Sequence, residues 1–427
     1  MARRSLNEWL SYQERVHPSA MDFTLDRIRV VLERLGALHP GAKLVVVGGT
    51  NGKGSVTAYL DAILRASGKR VGLYTSPHLL RYNERIRIDG AEIGDEDLVT
   101  LFERIESARG DISLTFFEYA TAAACLAFNE AALDVWVLEV GLGGRLDAIN
   151  VLDADVAVIT SIGLDHCDYL GTSLEAIGRE KAGIFRPDRT AIFGSFAMPQ
   201  SVAAEAARLG ARLMALGVDF SFARTADGFV WVHGDTMRAD LPEPALIGPV
   251  QFENASTALA ALDALGLLPD EQVIAQGLRR VSLPGRYQLL PGAVDWIFDV
   301  AHNPASVSAL VATLTERPAL GRRFFVLGLL NDKDASAVTQ VLGSVVDAAD
   351  DICAVTLAGE RGRSGASLAE LMRSELHRAI QSADSVDAGC ARAKELARAG
   401  DQVVVFGSFL TVGAALTWHR LYCGLRN

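Results

Sequence analysis

The chain has 427 residues, half of them hydrophobic, with a formal net charge of −11, so it reads as a globular protein of two or three domains for which nucleic acid is not the main partner. The start, MARRSLNEWLSYQER, has basic residues but no apolar run behind them, and the most apolar helix-like stretch, Tyr119 to Phe128, is too short to span a bilayer; neither a secretory signal nor a membrane segment is expected. Cys125, Cys167, Cys353, Cys390 and Cys423 are scattered without a CxxC pair, which suits a reducing cytoplasm and argues against a disulfide frame or a zinc site.

Residues 5 to 36 carry a helical pattern interrupted near His17-Pro18. A second helix is expected to begin within Met21-Asp22-Phe23-Thr24-Leu25 and to continue through Ile28, Val31, Leu32 and Leu35. Leu44 to Val47 is a short β-branched run of buried-strand type. Beyond it, Val56, Tyr59, Leu60, Ile63 and Leu64 form one apolar helical face. Between strand and helix lie Gly48, Gly49, Gly52 and Gly54, with Thr50, Asn51, Lys53 and Ser55 among them. Glycines bring backbone N–H groups close to an anion, the helix start adds its dipole, and Lys53 adds a full charge, which together make a polyphosphate cradle. In the common phosphate loop a hydroxyl residue follows the lysine directly. Here Gly54 intervenes and the hydroxyl comes at Ser55. The bland alternative is a glycine-rich turn with a solvated lysine, and the agreement of strand, loop and helix disfavours it.

Val71 to Thr75 is the next strand, stopped by Pro77, with Ser76 and His78 at its carboxyl end, where open α/β sheets bind ligands. Arg81, Arg85 and Arg87 follow, either to meet an anionic substrate or as solvated hairpin charges. Thr115-Phe116-Phe117-Glu118 opens a helix with aromatic rings at its start. Asp134 to Val140 is a nearly all-apolar strand of the kind parallel sheets bury. It carries Glu139 near its end, a carboxylate that is costly there unless paired or on a metal and that suits a magnesium-holding acid. GLGGRLDAIN follows at 141–150, and another buried strand, Asp155 to Gly163, leads to His166. Ser173 to Pro187 begins as a helix and carries Lys181 beside Glu180.

From Thr190 to Gly234 one strand, an alanine-rich helix and a hairpin turning at Asp227-Gly228 are expected, without chemistry. Gly248 to Leu265 contains a helix with Ala258, Leu262 and Leu265 on its apolar face, and Asn254 as a candidate cap. LPGRYQ (Leu283 to Gln288) breaks the pattern and holds Arg286. The remainder alternates the strands WIFDV, FFVLG, ICAVT and QVVVF with helices at 304–315, 336–348, 367–380 and 409–422, a second doubly wound domain. Asp299, His302 and Asn303 sit just past one of its strands, and Lys333 and Ser408 past others.

GTNGKGS, TFFE, GLGGRLDAIN, REKAGI, LPGR and DVAHNP, in this order over nearly the whole chain, resemble the Mur ligase superfamily and, within it, the folylpolyglutamate synthase / dihydrofolate synthase family. The resemblance implies an α/β protein: an N-terminal ATP-binding domain (1–284) with a P-loop-type, mostly parallel sheet, and a smaller C-terminal Rossmann-like, glutamate-binding domain (285–427). It implies an ATP-dependent ligase that joins dihydropteroate or a reduced folate to the amine of L-glutamate through an acyl phosphate. ATP would be held by Thr50, Asn51, Gly52, Lys53, Gly54, Ser55, Asn254, Arg286 and Asp299, and two Mg²⁺ (with K⁺ as a further candidate cation) would involve Ser76, Glu139 and His166. Oxygen donors with one imidazole suit magnesium or manganese better than zinc. The family carbamylates the lysine at Lys181, and Lys53, Lys181 and His166 are the expected catalytic groups. The pterin end of the substrate would meet Asp22, Phe23, Thr24, Thr115, Phe116, Phe117, Glu118, Leu146, Asp147 and Ala148, and glutamate would meet His302, Lys333 and Ser408.

Asp147-Ala148 and the intact TFFE element are similar to the bifunctional bacterial type, which makes dihydrofolate and also extends folates, whereas Ile149 stands where the family has threonine. A synthase that only extends folates is the alternative, as is another Mur-type ligase. A cell-wall Mur ligase would need an N-terminal domain for which the residues before the loop leave no room. A GTPase switch lacks an NKxD-like motif here, and a binding module without chemistry would leave the ligase motifs unused. The expected state is a cytoplasmic monomer, closing on its LPGR hinge before acyl transfer.

Overall fold

The computed structural model describes residues 3–17, 22 and 24–423. Two units divide it: residues 1–245 with 252–281, and residues 246–251 with 282–427.

The first unit is built on an eight-stranded sheet. Its strands are β1 (Lys43–Gly48), β2 (Val71–Tyr74), β3 (Ile86–Ile88), β4 (Ala91–Glu92), β5 (Val135–Glu139), β6 (Val156–Ile159), β7 (Thr190–Phe193) and β8 (Arg212–Ala215), in the order β4-β3-β2-β5-β1-β6-β7-β8. From β2 to β8 all neighbours are parallel, and β3 and β4 add an antiparallel margin. Val45, Val46 and Val47 of β1 are fully buried, as expected of a strand whose two faces are both covered by helices. On one face Trp9, Ile28, Leu32, Phe102, Tyr119 and Phe128 pack over Trp136. The chain lays β2 and β5 on one side of β1 and then crosses to β6 on the other. The loops leaving β1, β5 and β6 therefore diverge at the carboxyl edge, the place where such sheets open a crevice.

Helices Leu6–Val16 and Asp26–Leu35 form the N-terminus. The second begins at Asp26, later than the periodicity suggests, with Leu25 as its N-cap. Asp22 thus stays outside the helix, where Arg27 reaches it. Between β7 and the helix Val250–Ala264 the expected hairpin is a three-stranded antiparallel sheet of β9 (Phe220–Thr225), β10 (Gly228–His233) and β11 (Thr236–Pro242), and β8 is an additional strand. Gly228 pairs with Thr225, so the turn falls at Ala226-Asp227, one residue early. β8 and β11 have mixed exposure, which blurs the alternation that marks a strand.

The second unit has six strands: β12 (Gln288–Leu290), β13 (Asp295–Asp299), β14 (Arg323–Leu327), β15 (Asp351–Val355), β16 (Gln381–Ala383) and β17 (Gln402–Phe406), in the order β12-β13-β17-β14-β15-β16. Only β12 runs antiparallel to its neighbour. Helices Pro304–Glu316, Ala335–Gly343, Gly365–Leu376 and Phe409–Tyr422 lie at the expected places, the middle two ending earlier than the pattern suggests, at Gly343 and Leu376. β16 and the helix Val386–Leu396 do not appear in the sequence reading. The buried side of that helix is Val386, Gly389, Cys390 and Ala393, too small and weakly apolar to announce itself. The protein is thus α/β in both units.

Candidate active site

Gly49 and Gly52 have φ of 138° and 88°, a region that favours glycine. A Cβ at Gly49 would lie 2.0 Å from Thr160 Oγ1, and one at Gly52 2.6 Å from Asn254 Oδ1. The loop is thus pressed between β6 and the helix Val250–Ala264, and no larger residue fits. Helix Lys53–Ala66 starts directly from it, with Gly52 as N-cap, and the N–H groups of its first turn have no partner within the helix. Gly54 is the second residue of this helix, so Ser55 enters on its first turn and is buried. Lys53 Nζ donates to the carbonyls of Gly49 (3.0 Å) and Thr50 (3.2 Å). Asn254 is not a cap: its helix already begins at Val250, and Asn254 lies inside it, buried with its amide oxygen over Gly52.

Lys181 lies in the last turn of helix Leu174–Ala182, which Ser173 caps. It is 5% exposed and donates from Nζ to Gly49 O at 3.0 Å. Burial, and then the neighbouring charge of Lys53, bring its amine down from the ordinary lysine range to about 7, against the pull of Asp165, Asp147 and Glu180. Glu180, its neighbour in the chain, pairs with Arg145 at 3.0 Å.

The expected metal-site residues lie on the loops and strand ends of one sheet edge. Glu139 is the last residue of β5, 5% exposed, and in register with Val47 of β1. Tyr74 of β2 is in register with Leu138, so Ser76 follows just beyond the neighbouring strand end. His166 has φ 51° before the short helix Cys167–Leu170, and its N–H donates to Asp165 Oδ1 at 2.9 Å. Among the described residues no group of three or more His, Cys, Asp and Glu could hold a metal. A carboxylate, a hydroxyl and an imidazole are donor types that Mg²⁺ accepts alongside phosphate oxygens and water.

Thr115 and Glu118 form a capping box on helix Phe116–Glu130: the Thr115 N–H donates to Glu118 Oε2 at 2.8 Å. Glu118 is buried, and Arg27 bridges it to Asp22, at 3.3 Å and 2.7 Å. Arg27 was not anticipated, since a single arginine in a helix's first turn carries no motif. Thr24 donates its N–H to the Asp22 carbonyl, and Phe23 lies outside the described residues. Phe116 packs edge-on against Tyr82, and Phe117 lies tilted against Tyr74. Of the three hairpin arginines, Arg81 pairs with Asp95 and Arg87 with Glu92. Arg85 is buried and donates from Nε to His78 Nδ1 at 2.9 Å. Burial and that guanidinium push the imidazole of His78 down to about 4.

Asp147 is buried, and its carboxylate accepts from the N–H groups of Leu142 (2.9 Å) and Ile149 (3.1 Å). It closes its own loop, with half-exposed Leu146 before it and buried Ala148 after it. Burial raises its pKa to about 6 against these amides and Lys181. Ile149 is fully buried in the hydrophobic core, which accounts for an apolar residue at this position.

In the second unit Asp299 ends β13, and its carboxylate accepts from the N–H groups of Tyr287 and Ala301, both at 2.8 Å. Burial raises its pKa, opposed first by Arg286. The Arg286 guanidinium lies 5.3 Å over the Phe409 ring. β13, β17 and β14 are adjacent and end in register, Asp299 and Leu327 both facing Phe406. His302, Ser408 and Lys333 follow these three ends. His302 Nδ1 is 2.7 Å from Val300 O, Ser408 caps helix Phe409–Tyr422, and Lys333, nearly buried, is 3.5 Å from Asp332.

Residues 47–262 match the Mur ligase middle domain, and residues 285–409 the Mur ligase glutamate ligase domain. The dihydrofolate synthase/folylpolyglutamate synthase of Escherichia coli is 45% identical over 411 residues, covering 96% of this chain and 94% of that one. The Haemophilus influenzae protein of the same name is 40% identical, covering 96% and 97%. Among solved structures, E. coli FolC in complex with DHPP and ADP superposes with a TM-score of 0.92 at 44% identity over 97% of both chains. A bifunctional folylpolyglutamate synthase/dihydrofolate synthase with Mn, AMPPNP and L-glutamate bound gives 0.90 at 43% identity over 97% and 98%. With this likeness along its whole length, the chain belongs to the dihydrofolate synthase/folylpolyglutamate synthase family of Mur ligases.

Proposed function

We infer that this chain is an ATP-dependent ligase that adds L-glutamate both to dihydropteroate and to reduced folates. The observation that carries the reading is the loop 49–55, where two glycines admit no side chain and two lysines converge on one carbonyl. A carboxylate substrate and the γ-phosphate of ATP repel each other, and the site has to cancel that repulsion. Lys53, leaving its carbonyl partners for phosphate, supplies one charge; the amides of the helix start supply the rest of the first unit's cradle. Asn254 borders the same loop and is the candidate for the nucleotide. Attack of the substrate carboxylate on the γ-phosphorus gives an acyl phosphate and ADP, and the glutamate amine then displaces phosphate to form the amide.

Ser76, Glu139 and His166 are the groups proposed to hold Mg²⁺, which when bound neutralises charge on the phosphates. The near-neutral amine of Lys181 suits addition to CO₂, giving a carbamate that turns a cation beside Lys53 into an anion. The pterin end is assigned to the surface around Asp22, Phe23, Thr24, Thr115–Glu118 and 146–148. Residues 1–284 are proposed as the ATP-binding domain. Residues 285–427 are proposed as the glutamate-binding domain, with His302, Lys333 and Ser408 at its strand ends and Arg286 and Asp299 as further candidates for ATP. The protein is proposed to act in the cytoplasm as a monomer; its five cysteines are free thiols.

The test is ADP release by the purified protein with L-glutamate and either dihydropteroate or tetrahydrofolate. Release with both, and with neither substrate omitted, is expected. Turnover of tetrahydrofolate alone, at saturating ATP, reduces the assignment to a folylpolyglutamate synthase.

A further inference from the structure

Strand β6 leaves the sheet through Thr160 and Ser161, which run along the underside of the phosphate loop. Thr160 is buried. Its hydroxyl donates to the Asn51 carbonyl at 2.6 Å and lies 3.3 Å from the Gly48 carbonyl, and its own N–H donates to Gly48 O at 3.0 Å. Ser161 Oγ donates to the same Asn51 carbonyl at 3.0 Å and accepts the Asn51 N–H at 3.2 Å. The Thr50 N–H donates to Ser161 O, and its hydroxyl exchanges contacts with both backbone groups of Gly163.

A trans peptide points its C=O and N–H in opposite directions. Holding the Gly48 and Asn51 carbonyls toward β6 therefore turns the N–H groups of Gly49 and Gly52 away from it, to the side an anion would occupy. The Thr160 hydroxyl also fills the volume a side chain at Gly49 would need. We propose that Thr160 is a positioning residue for the phosphate loop: through Asn51 O it presets the Gly52 amide for a polyphosphate, and so governs nucleotide affinity without touching substrate. This rests on reading the loop as an ATP cradle. Sequence separation hides it, because Thr160 lies 109 residues from Asn51.

Thr160→Val keeps the shape and removes the hydroxyl; Thr160→Ser keeps the hydroxyl. Titrating Mg-ADP calorimetrically, Thr160→Val is expected to bind about tenfold more weakly, the loss of roughly one good hydrogen bond. Its KM for ATP rises while its KM for glutamate stays, and Thr160→Ser recovers most of the affinity. An ADP affinity within twofold of wild type in Thr160→Val overturns the proposal. So does a serine variant as impaired as the valine, or equal rises in both KM values with a lowered melting temperature, the marks of a purely structural role. If the valine variant does not fold, Thr160→Ala against Thr160→Ser decides by the same ADP titration, equal affinities overturning the proposal. Failure of the wild-type protein to bind ADP would instead overturn the cradle reading itself.

Discussion

Lys53 and Lys181, 128 residues apart, donate to one acceptor, the Gly49 carbonyl, each at 3.0 Å. Two ammonium groups on one oxygen repel, and this repulsion adds to burial in lowering the Lys181 amine. Burial and the neighbouring charge thus leave the Lys181 amine ready to lose its proton.

The first prediction is a pH dependence of both activity and stability through Lys181. Its folded pKa is about 7, against 10.5 for an ordinary lysine. Between those values the unfolded chain binds more protons than the folded one, so stability rises with pH across that window; below about 7 the full penalty of the buried amine is present. Thermal unfolding measured from pH 7 to 9 should show this rise, and Lys181→Met should flatten it. Carbamate formation needs the neutral amine, so at limiting bicarbonate, turnover should climb as pH passes upward through about 7. A bicarbonate-independent rate, or an inactive Lys181→Ala enzyme that acetate and formate do not partly rescue, counts against the carbamate.

Lys53→Ala should fold normally and lose about a hundredfold or more in turnover, the scale seen when one preorganised electrostatic donor is removed. Circular dichroism with a steady-state ligation assay checks both halves. Wild-type turnover in a folded variant removes the lysine from the mechanism.

Glu139→Gln and His166→Ala should each shift the Mg²⁺ midpoint of the rate upward and lower the maximum. Glu139 closes a buried strand end, and Glu139→Gln keeps the shape of the side chain while removing its charge, so the effect sought is on metal dependence rather than on the fold. The titration is of initial rate against Mg²⁺, and an unmoved midpoint in both variants places the metal elsewhere.

Asp147→Ala should abolish dihydrofolate formation and also destabilise the protein. The carboxylate satisfies two loop N–H groups, and leaving a buried donor unpaired costs about 1–3 kcal/mol. The two effects separate in Asp147→Asn, whose amide oxygen can still accept from one amide. If that variant recovers stability but not dihydropteroate turnover, the charge itself serves the substrate. Full activity in Asp147→Ala would show that the loop holds its shape without it.

Lys333→Ala should raise the KM for glutamate at least tenfold with little change in the KM for ATP. Lys333 lies in the segment after β14, next to the ends of β13 and β17 that lead to His302 and Ser408. Unaltered glutamate saturation would move the amino-acid site away from this edge.

Much of this was legible in the chain because local chemistry is written locally. The run Leu44 to Val47, the glycines after it and the apolar face beyond make a strand, turn and helix by periodicity and backbone freedom alone, and Glu139 stands out as a carboxylate in an apolar strand. The helix Val386–Leu396 was not legible, since its buried face of small residues carries little hydrophobic signal. Asn254 reads as a helix cap until packing shows its helix starting earlier and its amide over Gly52. Arg27 gains its bridge to Glu118 only when two helices pack. The REKAGI string marks Lys181 by resemblance, but its burial and lowered pKa, like the hold of Thr160 on the loop, exist only once strand order sets β6 beside β1. Periodicity and turn chemistry depend on neighbours a few residues apart. Desolvation, shared acceptors and close approach depend on groups far apart in sequence, and only the tertiary structure brings those together.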